Sequence, residues 1–101
     1  MTREMILYER DLRCAMPGAY RLAYSLVTDE ICLDGHTLEV YGAKIALYRG
    51  GAVVEEKTLR GLTPYGTRIT AILGAMARGL VTPMGMADVV ADLLASPGKP
   101  A

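Results

Sequence analysis

The chain has 101 residues, the length of one domain, and 51% of them are apolar against 22% charged, which excludes disorder for most of its length. Its 11 basic and 11 acidic residues sum to zero, so no global field draws it to nucleic acid or to an anionic membrane. A domain of this size buries about 60–70% of the surface its unfolded chain exposes, enough for a modest core without disulfide or metal staples.

In the opening segment, residues 1–19, Met5, Ile6, Leu7 and Leu12 call for burial, but Pro17-Gly18 cuts the segment off and no single periodicity runs through it. It is therefore left without an assigned structure. No secretory leader is visible and no apolar run approaches membrane-spanning length, so the expected compartment is the cytoplasm, with no membrane partner. Cys14 and Cys32 are too few for a disulfide framework and are not spaced for a metal; both are expected as small core hydrophobes.

Residues 20–59 alternate in hydropathy between turn signals, the pattern of strands. Tyr20, Leu22, Tyr24 and Leu26 share one face, and Arg21, Ala23 and Ser25 the other. Asp34-Gly35 and Gly50-Gly51 both suit type I′ turns, which need positive φ at both central positions. These signals predict a three-stranded antiparallel meander over about 20–33, 36–49 and 52–59. A two-residue turn at Asp34-Gly35 pairs Leu33 with His36, Ile31 with Leu38, Tyr24 with Ile45 and Leu22 with Leu47. The second turn then pairs Leu47 with Val54. Beyond the Leu33–His36 rung apolar residues meet apolar residues, which supports the register.

One irregularity stands out. The apolar set is even-numbered at Leu22, Tyr24 and Leu26 but odd at Ile31 and Leu33; on the partner strand it is even at Leu38 and Val40 but odd at Ile45 and Leu47. Both strands switch face near Thr28 and Gly42, where glycine permits a bulge or a sharp coil. The far end of the hairpin then offers Ile31, Leu33, Leu38 and Val40 on the face opposite the main core. A cover is needed: the N-terminal segment, another protein, or a second copy of the chain.

Residues 63–95 change to helical period. Ile69, Ile72, Leu73, Met76 and Leu80 form one stripe, and Met86, Val89, Val90 and Leu93 another. Thr63-Pro64 and Thr82-Pro83 each offer a capping hydroxyl followed by proline in the first turn. Gly79 suits a left-handed residue ending the first helix, and Val81 with Met86 suits a hydrophobic staple around Thr82. The fold class expected is α+β, a three-stranded antiparallel meander followed by a C-terminal helical hairpin packed on one face, with 20–95 as the domain and 96–101 as a flexible tail.

No catalytic constellation is visible. His36, the only histidine, follows a turn and is expected to face solvent. Asp88 and Asp92 lie one helical turn apart, and Asp29, Glu30, Asp34 and Glu39 give the hairpin an acidic end, but neither group has the spacing of a cation site. Gly50-Gly51 lacks the strand–loop–helix setting of a phosphate loop. No cofactor and no metal are expected, and enzymatic activity is not the leading reading.

Two binding surfaces remain. The register places Arg21 opposite Tyr48 and Ser25 opposite Lys44, with Lys44 facing Lys57 across the second hairpin. Like charges directly opposite are unfavourable, so Arg21, Lys44, Tyr48 and Lys57 form a candidate single-strand nucleic-acid face built on backbone charge and stacking. The plainer reading is an ordinary polar face partly neutralised by Glu55. The second helix, charged only at Asp88 and Asp92, would be repelled by phosphates, so it is not a DNA-reading helix. The stronger expectation is a small interaction or regulatory module with a protein partner, itself included, at Ile31, Leu33, Leu38 and Val40.

The string Tyr20-Arg21-Leu22-Ala23-Tyr24-Ser25-Leu26-Val27, then Tyr41-Gly42, then Val81-Thr82-Pro83 leading to Asp88-Val89-Val90-Ala91-Asp92-Leu93-Leu94, resembles a family of short bacterial proteins classed as a domain of unknown function. The resemblance covers roughly residues 20–95. It implies an intracellular bacterial origin and a strand-then-helix order; it carries no activity, cofactor or partner.

Overall fold

In the computed structural model, which describes residues 2–12 and 20–95, four strands run in chain order: β1 (Thr2–Leu12), β2 (Tyr20–Leu33), β3 (His36–Arg49) and β4 (Ala52–Thr63). They form one antiparallel sheet in the order β1-β2-β3-β4. The α+β class stands, but the three-stranded meander is corrected to four strands. β1 pairs along β2 from Thr2 opposite Asp29 to Leu12 opposite Tyr20. A bulge between Ile6 and Tyr8 interrupts that pairing, so Ile6, Leu7 and Tyr8 read as a run instead of an alternation. Cys14, the break at Pro17-Gly18 and the tail 96–101 lie outside the described residues.

Asp34 (φ 52°) and Gly35 (φ 77°) take the left-handed conformations of a type I′ turn, as do Gly50 (58°) and Gly51 (86°). The β2–β3 register follows from the first turn, running unbroken from Leu33 opposite His36 to Tyr20 opposite Arg49. The second hairpin departs from expectation by one residue. Tyr48 pairs with Val53 but Leu47 pairs with Glu55, leaving Val54 as the extra residue of a bulge. Leu47 therefore does not face Val54, and every β4 side chain beyond the bulge is on the face opposite to the one expected.

Continuous β2–β3 pairing means that the face switch at Thr28 and Gly42 is not absorbed by a bulge between these strands. The irregularity lies on β4. Tyr41 pairs with Thr63 and Ala43 with Leu59, so residues 60–62 stand against Gly42 alone. A Cβ on Gly42 would lie 2.1 Å from the Leu59 carbonyl oxygen and 2.8 Å from the Arg60 Cα. Only glycine admits the β4 backbone at that distance, and Val27, paired with Gly42, is fully buried.

Two helices cover one face. α1 spans Gly66–Arg78; a single 3-10 turn, Pro83–Gly85, leads into α2 (Met86–Leu94). The core joins Leu22, Tyr24, Ala43 and Ile45 of the sheet to Ile69, Ile72, Leu73 and Met76 of α1 and to Met86 and Val90 of α2. No helix among the described residues is long and apolar enough to cross a membrane.

The helix ends differ in detail from the sequence expectation. Thr63 ends β4 and accepts the Tyr65 N–H at 3.2 Å, so it closes a local turn before α1, whose N-cap position is Tyr65. Thr82 stands at the N-cap of the 3-10 turn without a side-chain capping bond. Gly79 is not left-handed (φ −88°); that conformation belongs to Leu80 (φ 53°). The Val81 N–H reaches the Met76 carbonyl and the Leu80 N–H the Ala77 carbonyl, the bonds of a Schellman motif with leucine where glycine is usual. Side chains finish the joint: Tyr24 donates to the Val81 carbonyl (2.8 Å), Arg10 to the Ala77 carbonyl (3.0 Å) and Arg68 to the Leu94 carbonyl (3.0 Å). Burial of Tyr24 raises its hydroxyl pKa to about 12, so it donates at any physiological pH.

Candidate protein-interaction surface

β1 reaches β2 only as far as Asp29, and β4 reaches β3 only as far as Tyr41. Beyond those rungs the β2–β3 hairpin continues as a two-stranded arm, residues 30–40, and the molecule is 52 Å long on its longest axis against 18 Å on its shortest. Alternation assigns the arm two faces. Ile31, Leu33, His36, Leu38 and Val40 share the face turned away from the helices, and Glu30, Cys32, Thr37 and Glu39 share the other.

The first face is apolar and open. Ile31 is 42% exposed, Leu33 57% and Leu38 45%, with Val40 half-buried at the root. All four residues expected at the interface therefore lie together on one side of one hairpin. β1 does not cover them. The helix side of the arm is polar by contrast. Arg3 pairs with Glu39, and Glu39 accepts the Tyr41 hydroxyl at 3.0 Å, a bond that holds the Tyr41 pKa above its usual value. Cys32 is exposed here and not in the core as expected, because the arm projects beyond the helices' cover. His36 is exposed at the tip.

The root of the apolar face is closed by an ionic cluster. Arg60, carried by the bulged segment of β4, donates through Nη2 (2.6 Å) and Nε (3.1 Å) to the two Asp29 carboxylate oxygens. Thr2 donates to Asp29 and accepts from Arg60. The Arg60 and Thr2 hydrogen bonds lower the Asp29 pKa to about 2. Three strands are thus tied where the covered part of the sheet ends. Sequence reasoning missed this cluster because it joins three strands; the available local signal was Gly61 (φ 62°), which marks the β4 bulge but not the partners of Arg60.

The expected nucleic-acid face is not assembled. Arg21, Tyr48 and Lys44 do share the face of the sheet turned away from the helices. Lys57 does not: the Val54 bulge places it opposite Ile45, on the helix side, so it never faces Lys44. Lys44 instead stands between Glu4 (3.1 Å) and Glu56 (3.7 Å), and the Glu4 hydrogen bond raises its pKa. Arg21 lies 3.6 Å from Glu9. Shallow depressions beside Tyr48 and Arg21 are lined by Asp11 and Glu9 as well. Carboxylates alternate with the cations, and a phosphate backbone meets no continuous positive track. Among the described residues no group of three or more His, Cys, Asp or Glu side chains is placed to hold a metal ion.

Residues 3–96 match a family of unknown function (DUF6514). The chain belongs to this family. No curated protein and no solved structure matches the chain. The family match begins in β1 and ends beyond α2, so the matched range takes in nearly all of the strand that a reading of residues 20–95 omits.

Proposed function

We propose that the protein is an interaction module whose binding element is the projecting β2–β3 arm, and that a protein partner contacts the face formed by Ile31, Leu33 and Leu38 with Val40 at its root. One observation carries this reading: three large apolar side chains stand exposed on the same face of a hairpin that no other part of the described chain covers. Scattered exposed apolar residues need no explanation, but a contiguous set on a protruding element is the usual mark of a contact surface. The opposite face of the arm is dressed with ion pairs and hydrogen bonds, so the apolar character is confined to one side.

The set of Arg21, Lys44 and Tyr48 offers less for the nucleic-acid alternative, since its lysine is flanked by two carboxylates and Lys57 is on the other face. The test is capture of partners from the native cell extract by immobilised wild-type protein and by Leu38→Glu. The proposal expects specific capture by the wild type that Leu38→Glu abolishes while retaining the wild-type melting temperature. Equal capture by both proteins contradicts it.

A further inference from the structure

We infer that the occupant of the arm is a second copy of the same chain, the two arms stacking apolar face to apolar face about a twofold axis near the Ile31–Leu38 rung. This rests on the arm being the binding element. Two features of the face select a like partner, and a third sets how tightly the two copies hold.

The first is charge. The residues on this face between root and tip are Ile31, Leu33, His36, Leu38 and Val40, with Asp29 at the root already neutralised by Arg60. Glu30 and Glu39 lie on the opposite face and stay outside such a seam. A basic partner segment would meet no uncompensated carboxylate between the two ends of the face, whereas another copy of the face brings no charge against its middle.

The second is the complementarity of the two ends. In an antiparallel stack the tip of one arm overlies the root of the other. At about 3.4 Å per residue, Asp34 stands ~10 Å from the Ile31–Leu38 rung toward the tip and Asp29 ~7 Å from it toward the root. The exposed carboxylate of Asp34 is thereby carried to the Arg60 end of the partner copy. Arg60 keeps donor capacity for a second carboxylate: its bonds to Asp29 and Thr2 run through Nε and Nη2, and its side chain is 58% exposed while Asp29 is 14% exposed. The symmetry repeats this tip-to-root pairing at both ends, as an isologous interface requires.

The third is size. Three exposed side chains and a half-buried valine make a patch well short of the ~800 Å² per partner of a standard stable interface. The pairing is therefore reversible and concentration-dependent, with dissociation expected between about 10 μM and 1 mM.

Sedimentation equilibrium across that concentration range tests the pairing on the wild type, Leu38→Glu and Asp34→Asn, with circular dichroism to verify folding. Asn keeps the left-handed turn accessible while removing the charge. The expected result is a monomer–dimer equilibrium in the wild type. Leu38→Glu, which places a carboxylate in each half of the seam, weakens it about a hundredfold or more. Asp34→Asn weakens it by about twofold to fivefold, and added salt reduces the difference. A wild type monomeric up to about 1 mM overturns the self-pairing. So does a dimer that survives Leu38→Glu unchanged. Neither result by itself removes the arm as a binding element; that reading fails only if capture from extract is also indifferent to Leu38→Glu.

Discussion

From Leu22 to Thr28, β2 is covered on both faces, Leu22 and Tyr24 beneath the helices and Ala23, Ser25 and Val27 on the other side; from Glu30 to Leu33 the same strand is exposed throughout. β3 shows the same contrast, with Gly42, Ala43, Ile45 and Ala46 buried and His36 to Glu39 exposed. Composition does not separate the two regions, since Ile31-Cys32-Leu33 is as apolar as Leu22-Ala23-Tyr24. What separates them is cover. β1 pairing ends at Asp29 and β4 pairing at Tyr41, beside the Asp29–Arg60 ion pair, and the hairpin continues without them. The lower region buries its apolar residues in folding, and the upper region leaves its own exposed.

Gly42 marks the border and gives the largest effect. Gly42→Val places side-chain atoms where the Leu59 carbonyl and the Arg60 Cα already lie, so β4 must move off the sheet. The expected loss is about 3 kcal/mol or more, read from urea denaturation. A cost under about 1 kcal/mol would mean that the bulge yields freely and that the border is not fixed there.

Truncation on either side of the border sharpens the comparison. Leu73→Ala, in the fully buried cluster, is expected to cost about 3 kcal/mol. Leu33→Ala, near the tip of the arm, is expected to cost about 0.5 kcal/mol or less in the same assay, because little apolar surface leaves water there on folding.

Asp29 reports on the border through pH. Its pKa of about 2 in the fold is below that of the unfolded chain, so its contribution is fully present above the unfolded value near 4 and is lost as pH falls toward 2. Wild type is expected to be more stable than Asp29→Asn at pH 7, with the gap closing between about pH 5 and pH 2. A gap independent of pH would show that the Arg60 pairing is not its source. The Arg60 guanidinium is largely exposed, so salt should also narrow the gap.

Leu80 gives the smallest effect and lies within the covered region. The left-handed geometry costs a leucine about 1–2 kcal/mol, and the greater freedom of unfolded glycine returns part of that. Leu80→Gly is expected to raise stability by about 0.5 kcal/mol and to leave the arm unaffected. A decrease would indicate that the leucine side chain contributes more packing than its exposure suggests.

Legibility in the sequence followed locality. The β2–β3 register was readable because Asp34-Gly35 fixes the pairing of all the residues on either side of it, and the face switch at Thr28 and Gly42 appeared as a change of parity. The three-strand count was wrong because the bulge after Ile6 merges two faces of β1 into one apolar run. Lys57 was assigned to the wrong face because Val53-Val54 contains no mark telling which valine is extra. Gly79 was read as left-handed although its neighbour Leu80 takes that conformation, since the choice between adjacent residues depends on where α1 ends. The exposure of Ile31, Leu33 and Leu38 was anticipated as a need for cover, while the Asp29–Arg60–Thr2 cluster, assembled from three strands, had no local signature.

The most direct test of the account is the stability of the double variant Ile31→Lys/Leu38→Glu, which sets opposite charges on one directly paired rung, measured by urea denaturation beside the wild type at low protein concentration. If the apolar face of the arm exists for contact, the two charged side chains change the unfolding free energy by about 0.5 kcal/mol or less, in line with surface substitutions elsewhere. A loss of about 2 kcal/mol or more would place these side chains in the protein's own core and contradict the division between a folded body and a binding arm.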